Sequence, residues 1–264
     1  MRIPLSVIIL TKNEEDRIAD CINSVIDWAD EVLIVDDEST DRTHQIAEDL
    51  GAKVLARKMD IEGRHRNWAY SQAKNEWVLS LDADERPTDA LIKEITDVIV
   101  EPDCDSYTIP RRNFIAGKWL KWGGQYPSAQ VKLFKKDKFS WKEERVHPKP
   151  AVQISCRQLE NDLIHYSYRD WQDFLNKLNN QTTRESQKWY KVYKQNPKEA
   201  QAKMNLIHAL WRSLDRFIRV YIIKKGFLDG FYGFMFAYLS SVYQFISYAK
   251  FRELKNSLNR PEVS

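Results

Sequence analysis

The segment WVLSLDADE (Trp77–Glu85) sets a short apolar run, Trp77–Leu81, directly against a cluster of acids. A run of that length, bounded by polar residues, reads as a buried strand. Two earlier segments repeat the design. Leu5–Leu10, rich in β-branched residues, runs into Thr11-Lys12-Asn13-Glu14, and Glu31–Val35 runs into Asp36-Asp37. Lys53–Ala56 makes a fourth, shorter run.

Helical patterns fill the intervals. Asn13 offers an N-cap to a helix with Ile18, Cys21, Ile22, Val25 and Ile26 on one face. Ser39–Leu50 is a second helix, closed by Gly51, and Arg64–Ala73 a third. Thr88 caps a fourth, with Leu91, Ile95, Val98 and Ile99 on its apolar side. Alternating units of this kind predict an α/β fold with a mainly parallel central sheet. From Ser106 to Tyr168 the pattern turns to strands and loops, with strands at Ser106–Pro110, Gln130–Phe134 and Leu163–Tyr166. Trp171–Lys194 and Glu199–Asp215 then read as amphipathic helices. The pattern divides the chain into an α/β domain over 1–168 and a helical region over 169–264.

Composition excludes several classes. With 264 residues, 43% hydrophobic and 30% charged, the chain is globular rather than disordered. A net charge of +3, without a basic stripe of interleaved aromatics in its first half, argues against a nucleic-acid partner. Cys21, Cys104 and Cys156 are too few and too scattered for a disulfide framework or a structural zinc site. The run Leu5–Leu10 is too short for a signal-peptide core and no small-residue cleavage site follows it, so a cytosolic catalytic part is expected.

In an open α/β sheet, ligands bind beyond the carboxyl ends of the strands, where the three polar clusters fall. The turn after Leu10 has no glycines, which argues against a dinucleotide fingerprint. Asp82 and Asp84, at alternate positions leaving a strand, suit a hard divalent cation that neutralises a diphosphate. The same pair also fits a solvated loop. Asp37 suits the imide proton of a pyrimidine, with Asp36 at the ribose or the turn backbone. Alternatively Asp36, Asp37 and Asp41 shape the turn and cap the helix after it.

SVIILTKNEE, VDDESTDRT, GRHRNWAYSQAKNEWVLSLDADE and VKLFKK…RVHPKP occur in this order and spacing. Together they resemble the family-two inverting glycosyltransferases of GT-A fold. LIHYSYRD and KKGFLDGFYGF extend the likeness to the inner-core glucosyltransferases of lipopolysaccharide and lipooligosaccharide, which transfer glucose to heptose. The resemblance implies a UDP-hexose donor, a lipid-linked core oligosaccharide acceptor and Mg²⁺ or Mn²⁺ as cofactor. It places Thr11, Asn13 and Glu14 near base and ribose, and Asp37 on uracil. Gly63 and Arg66 close over the nucleotide, Asp82 meets the ribose or the metal's water shell, Ala83 joins the nucleotide-sugar-binding residues, Asp84 binds the metal, and His147 approaches metal or diphosphate. The general base is the departure. Pro148 follows His147 where many relatives carry an acid, and Ser128 follows Tyr126-Pro127 where they often carry aspartate. Glu144, then Glu143, are the nearest remaining carboxylates for the role, with solvated surface charge as the alternative reading of both.

Gly230–Ala249 carries no formal charge and many aromatics, with Lys224 and Lys225 before it and Lys250, Arg252 and Lys255 after. Its length reaches the roughly 20 residues that span a bilayer. Its Tyr, Ser and Gln content favours an interfacial helix whose cations meet anionic headgroups. The resemblance puts that surface at the inner face of the bacterial inner membrane. A helix packed on the catalytic domain is the competing reading. For the whole chain the competing functions are transfer of another sugar, transfer to a polyprenyl phosphate or protein, and a noncatalytic nucleotide-sugar-binding module.

Overall fold

A computed structural model describes residues 2–144, 149–151, 156–198 and 204–257, except for the Cys156 side chain. The chain divides into two compact units, 1–112 with 127–166, and 113–126 with 167–264.

The first unit is built on a seven-stranded sheet. Its strands are β1 (Ile3–Thr11), β2 (Ala29–Asp36), β3 (Lys53–Ala56), β4 (Trp77–Asp82), β6 (Ser106–Ile109), β9 (Gln130–Lys135) and β10 (Cys156–Gln158), in the order β10-β6-β9-β4-β1-β2-β3. β1 runs parallel to β2 and β4, and β2 to β3, as βαβ crossovers require. β9 is antiparallel to both β4 and β6, so the sheet is mixed. Helices α1 (Ile18–Asn23), α2 (Thr43–Asp49), α3 (Glu62–Ser71) and α4 (Asp89–Val100) connect the strands. Leu5, Val7 and Ile9 of β1 face one apolar cluster and Ile8 another. Both faces of the strand are therefore covered, and burying each such side chain contributes about 1.5–3 kcal/mol.

Local chemistry explains most of the helix ends. Thr88 Oγ1 accepts the Leu91 N–H at 3.2 Å and caps α4. Gly51, at φ 80°, ends α2 in the left-handed conformation that glycine adopts freely. Two expectations fail. Asn13 is not an N-cap: it sits at φ 54°, which Asn tolerates, and its Oδ1 accepts the Thr40 N–H at 2.8 Å. The helix starts only at Ile18, although Ile18, Cys21, Ile22 and Val25 are buried as their spacing predicts. Likewise α2 starts at Thr43 rather than Ser39, because Ser39 and Thr40 bond the 13–14 turn instead.

Beyond Asp82 the chain makes a tight turn into β5 (Glu85–Pro87), a strand the sequence reading passed over. β5 pairs antiparallel with β11 (Leu163–Tyr168), setting His165 against Glu85.

β7 (Arg111–Ile115), which enters the second unit at Asn113, forms a hairpin there with β8 (Lys118–Trp119). The unit's helices are α5 (Trp171–Gln195), α6 (Leu206–Phe217) and α7 (Gly230–Ser257). The π-helical turn Ile218–Ile223 and the 3₁₀ turn Gly226–Asp229 join the last two. Of the helix expected over 199–215, residues 199–203 lie outside the described residues. Phe174 and Leu178 of α5 pack with Leu239, Phe236 and Tyr243 of α7. Lys250, expected to meet headgroups, instead donates to Asn179 O, Asn179 Oδ1, Thr182 Oγ1 and Thr183 Oγ1 at 2.7–2.9 Å, tying α7 to α5. Among the described residues no helix is long and apolar enough to cross a membrane.

Candidate active site

Parallel pairing fixes the location. Thr11 is in register with Asp36, and Leu10 with Asp82, so β1, β2 and β4 deliver their polar termini to one edge of the sheet. Thr11 is buried, and its Oγ1 has no hydrogen-bond partner among the described residues. Such an atom is costly unless a ligand or water satisfies it.

The Asp36 and Asp37 side chains differ in employment. Asp36 accepts the Ser39 N–H at 3.3 and 3.2 Å and the Ser39 hydroxyl, and so holds the turn. Asp37 Oδ1 accepts the Met59 N–H at 2.7 Å and Oδ2 accepts Lys12 Nζ at 2.9 Å. Burial would raise the Asp37 carboxyl, but Met59 and Lys12 outweigh it and hold the group below its usual range. It is thus an ionised acceptor, and each oxygen keeps lone-pair capacity for one more donor. Glu14 donates its N–H to Thr43 Oγ1 at 2.8 Å, fastening the first turn to α2.

The Asp82–Glu85 turn carries a denser network. Lys132, buried on β9, donates to Asp82 Oδ2 at 2.9 Å and to Glu85 Oε2 at 2.5 Å. Arg66 Nη2 lies 3.7 Å from Asp82 Oδ1. Burial would raise the Asp82 carboxyl, yet Lys132 and then Arg66 hold it well below the carboxylate range. Glu85 is fully buried, and Arg111 Nη1 at 3.3 Å completes its neutralisation. Ala83 is buried and its carbonyl accepts Arg86 Nη1 at 2.7 Å. With that contact and the Glu85 Oε2 bond to the Asp82 N–H at 3.0 Å, the turn is rigid around both aspartates.

Asp84 points elsewhere. Its Oδ2 lies 3.6 Å from Arg17 Nη1 and 3.5 Å from His165 Nε2, and its carbonyl accepts the Tyr166 N–H at 2.9 Å. Among the described residues no group of three or more His, Cys, Asp or Glu side chains is placed to hold a metal. The Asp84–His165 pair still suits one. Cis ligands of an octahedral ion at ~2.1 Å stand about 3.0 Å apart and trans ligands about 4.2 Å, and Mg²⁺ characteristically takes one or two protein groups plus waters and phosphate oxygens. A spacing of 3.5 Å matches neither, so the two side chains would close by about half an ångström to hold an ion in cis positions. His147 lies outside the described residues.

Glu143 Oε2 is held by Arg64, at 2.7 Å from Nη2. Glu144 is exposed, and its carbonyl accepts the Gly63 N–H at 3.2 Å. Gly63 has no room for a side chain, since a Cβ there would stand 1.9 Å from the Lys142 carbonyl oxygen. His165, Lys132, Glu85, Arg17 and Arg111 also surround the two aspartates, and no local pattern singles them out. His165 lies within LIHYSYRD, but its approach to Asp84 depends on a strand pairing that no local pattern shows.

Residues 6–158 match the family described as Glycosyl transferase family 2. An uncharacterized glycosyltransferase of Rickettsia typhi is 30% identical over 266 residues, covering 95% of this chain and 87% of that protein. The poly(ribitol-phosphate) β-N-acetylglucosaminyltransferase TarS of Staphylococcus aureus is 35% identical over 111 residues, 38% of this chain and 19% of that enzyme. The crystal structure of TarS residues 1–349 in complex with UDP shares the fold, with a TM-score of 0.50 at 18% identity over 98% of this chain and 91% of that one.

Proposed function

The chain belongs to glycosyl transferase family 2, and from that premise we propose an inverting, metal-dependent transfer of glucose from UDP-glucose to a heptose of a lipid-linked inner core. Residues 1–168 do the chemistry, and 169–264 meet the inner face of the bacterial inner membrane. The observation that carries the reading is the Asp84–His165 pair beside the cation-clamped Asp82, at the edge where β1, β2 and β4 end.

Asp37, ionised, accepts the imide proton of uracil. Thr11 Oγ1, Asn13 and Glu14 line the nucleoside, with Asp36 setting the turn beneath it. Arg66 and the turn from Asp82 through Ala83 face the ribose and diphosphate. Asp84, with His165, would hold Mg²⁺ or Mn²⁺, and His147 is assigned to the same cluster from the family resemblance. When bound, the ion would supply Lewis-acid stabilisation of the departing diphosphate. Gly63 packs the 142–144 segment closely and so positions Glu144. The acceptor hydroxyl oxygen attacks the anomeric carbon opposite the diphosphate, the carbon–oxygen bond to the β-phosphate breaks, and the hydroxyl proton passes to Glu144. The product is a β-glycoside and UDP.

A panel of UDP-glucose, UDP-N-acetylglucosamine and UDP-galactose against purified core oligosaccharides, read by mass spectrometry, tests the proposal. UDP-N-acetylglucosamine belongs in it because TarS is an N-acetylglucosaminyltransferase. A hexose added to heptose from UDP-glucose supports the reading. Preferential transfer from another donor, or to a polyprenyl phosphate, overturns its finer part, and tight UDP-sugar binding without turnover marks a binding module.

A further inference from the structure

Helix α6 turns an apolar face to solvent. Ile207 is 79% exposed, Leu210 52%, Trp211 63%, Leu214 54% and Ile218 37%. Their spacing of three and four residues places them on one stripe of the helix. Ile222 and Ile223, 56% and 67% exposed in the π-helical turn, carry the apolar surface onward. By contrast Ala209, on the opposite side of α6, is buried, and Ser213 Oγ donates to Ser241 O at 2.8 Å. The helix therefore docks through its small residues and leaves the large ones outside. A stripe of isoleucine, leucine and tryptophan this exposed marks an interaction surface.

Charge selects the occupant. From Leu206 to Leu228 the chain carries Arg212, Arg216, Arg219, Lys224 and Lys225 against one carboxylate, Asp215. Asp215 is itself paired with Arg219 at 2.7 Å. Arg216 and Lys224 line a cavity of about 100 Å³ with Gln125, Ser240, Gly123 and Gly124. At roughly 30 Å³ per water that is space for about three waters, and so for a phosphate group. Arg216, seven residues after Ala209, lies on the side of α6 away from the stripe, as the cations of an interfacial helix do. An anionic bilayer supplies both requirements: hydrocarbon for the stripe, and phosphates for the cations and the cavity.

We propose that α6 and the π-helical turn after it form the face that inserts into the interface of an anionic membrane, with Arg216 and Lys224 taking a lipid phosphate. The inference rests on the reading that the acceptor is lipid-linked, and it places the contact on α6 rather than on the aromatic helix α7.

The test is flotation of the full chain with phosphatidylcholine vesicles, with and without phosphatidylglycerol. Hydrolysis of UDP-glucose and transfer to a soluble, delipidated core acceptor are measured in parallel. The wild type is expected to float with the anionic vesicles only. The variant Leu210→Ser/Trp211→Ser/Leu214→Ser loses at least about tenfold of that binding, and Arg216→Gln/Lys224→Gln a smaller, salt-sensitive part. Circular dichroism and parallel turnover check that both remain folded. Quenching of Trp211 by brominated lipids, read as the difference from Trp211→Phe, gives an independent signal. The proposal is overturned if the triple variant floats like the wild type, if brominated lipids leave Trp211 unquenched, or if sedimentation shows a dimer that these substitutions dissolve. Soluble-acceptor turnover without flotation overturns the membrane face alone. Flotation without turnover on any acceptor sinks the transferase reading instead.

Discussion

His165 Nε2 lies 3.5 Å from Asp84 Oδ2 because the antiparallel pairing of β5 with β11 sets His165 against Glu85, the residue next to Asp84. A carboxylate and an imidazole converge at a sheet edge that already gathers Asp82 and Thr11. The pairing is a long-range one, so the juxtaposition is a property of the fold and of no single motif.

Changing His165 tests that pair. His165→Ala is expected to raise the Mn²⁺ concentration needed for half-maximal turnover by at least about tenfold, with turnover largely restored at saturating metal. Asp84→Ala, which removes the charged donor, is expected to abolish transfer at every metal concentration while the fold survives. Metal titrations of both variants, with chelator controls, decide the matter. An unchanged metal requirement in His165→Ala removes the residue from the site, and full turnover of Asp84→Ala in chelator removes the metal.

Asp37 should act on binding more than on chemistry, because its proposed hydrogen bond is remote from the breaking bond. Losing a hydrogen bond to a charged acceptor costs about 1.5–3 kcal/mol, so Asp37→Ala should weaken UDP affinity roughly 10- to 100-fold. Met59 and Lys12 hold the Asp37 carboxyl below its usual range. The group therefore stays ionised, and its contribution to UDP binding should be flat from about pH 7 down to about pH 5. Calorimetry across that interval checks both points. Normal affinity with a large loss of turnover contradicts the assignment.

The parts of this architecture that rest on local pattern were legible in the residues. Apolar runs marked β1, β2, β3 and β4, Thr88 marked the start of α4, and the polar clusters after β1, β2 and β4 come together at one edge of the sheet. What escaped is what tertiary pairing decides. β5 is too short and too charged to read as a strand, and Lys132 looks like one basic residue among several in VKLFKK until β9 is placed antiparallel to β4. Lys250 shows the converse error. Its position after an uncharged aromatic run suggested a headgroup contact, whereas α5 supplies four oxygen acceptors for it. The aromatic run Gly230–Ala249 is the more conspicuous in composition, but α6 carries the more exposed apolar stripe.

Lys132 offers a prediction on stability. It is buried between Asp82 and Glu85, and burial, which would lower its pKa, is outweighed by the two carboxylates, which raise it. Lys132→Met leaves two carboxylates without that charge and should cost about 3–5 kcal/mol near neutral pH. The sign with pH follows from the Asp82 carboxyl. In the wild type its pKa is lowered, so its stabilisation is present above the unfolded value near 3.8 and is lost as pH falls through the folded value. In the variant the Asp82 carboxyl loses the Lys132 charge that lowers it, and the penalty of the missing cation is relieved as that carboxyl protonates. Urea denaturation should therefore show the gap between the two proteins narrowing from about pH 7 to about pH 4. A gap that widens toward acid refutes the coupling.

Glu144 and Gly63 form the last test, because one is proposed to take the proton and the other to hold it in place. Glu144→Gln keeps the shape and removes the basicity, so turnover should fall roughly 10²–10⁴-fold with UDP affinity kept. Gly63→Ala acts from a distance. Its Cβ would stand 1.9 Å from Lys142 O, so the 142–144 segment must move away from α3 and carry Glu144 with it. Overpacking of this kind costs about 1–3 kcal/mol of stability. If Gly63 matters only for the fold, its alanine variant lowers thermal stability and leaves turnover per folded molecule unchanged. If it positions the base, the turnover losses fail to add: Gly63→Ala slows the wild type strongly but slows Glu144→Gln little further. Steady-state kinetics on the four proteins of that cycle separate the cases. Wild-type turnover in Glu144→Gln removes the residue from the mechanism and turns the search for the base to the 126–130 loop.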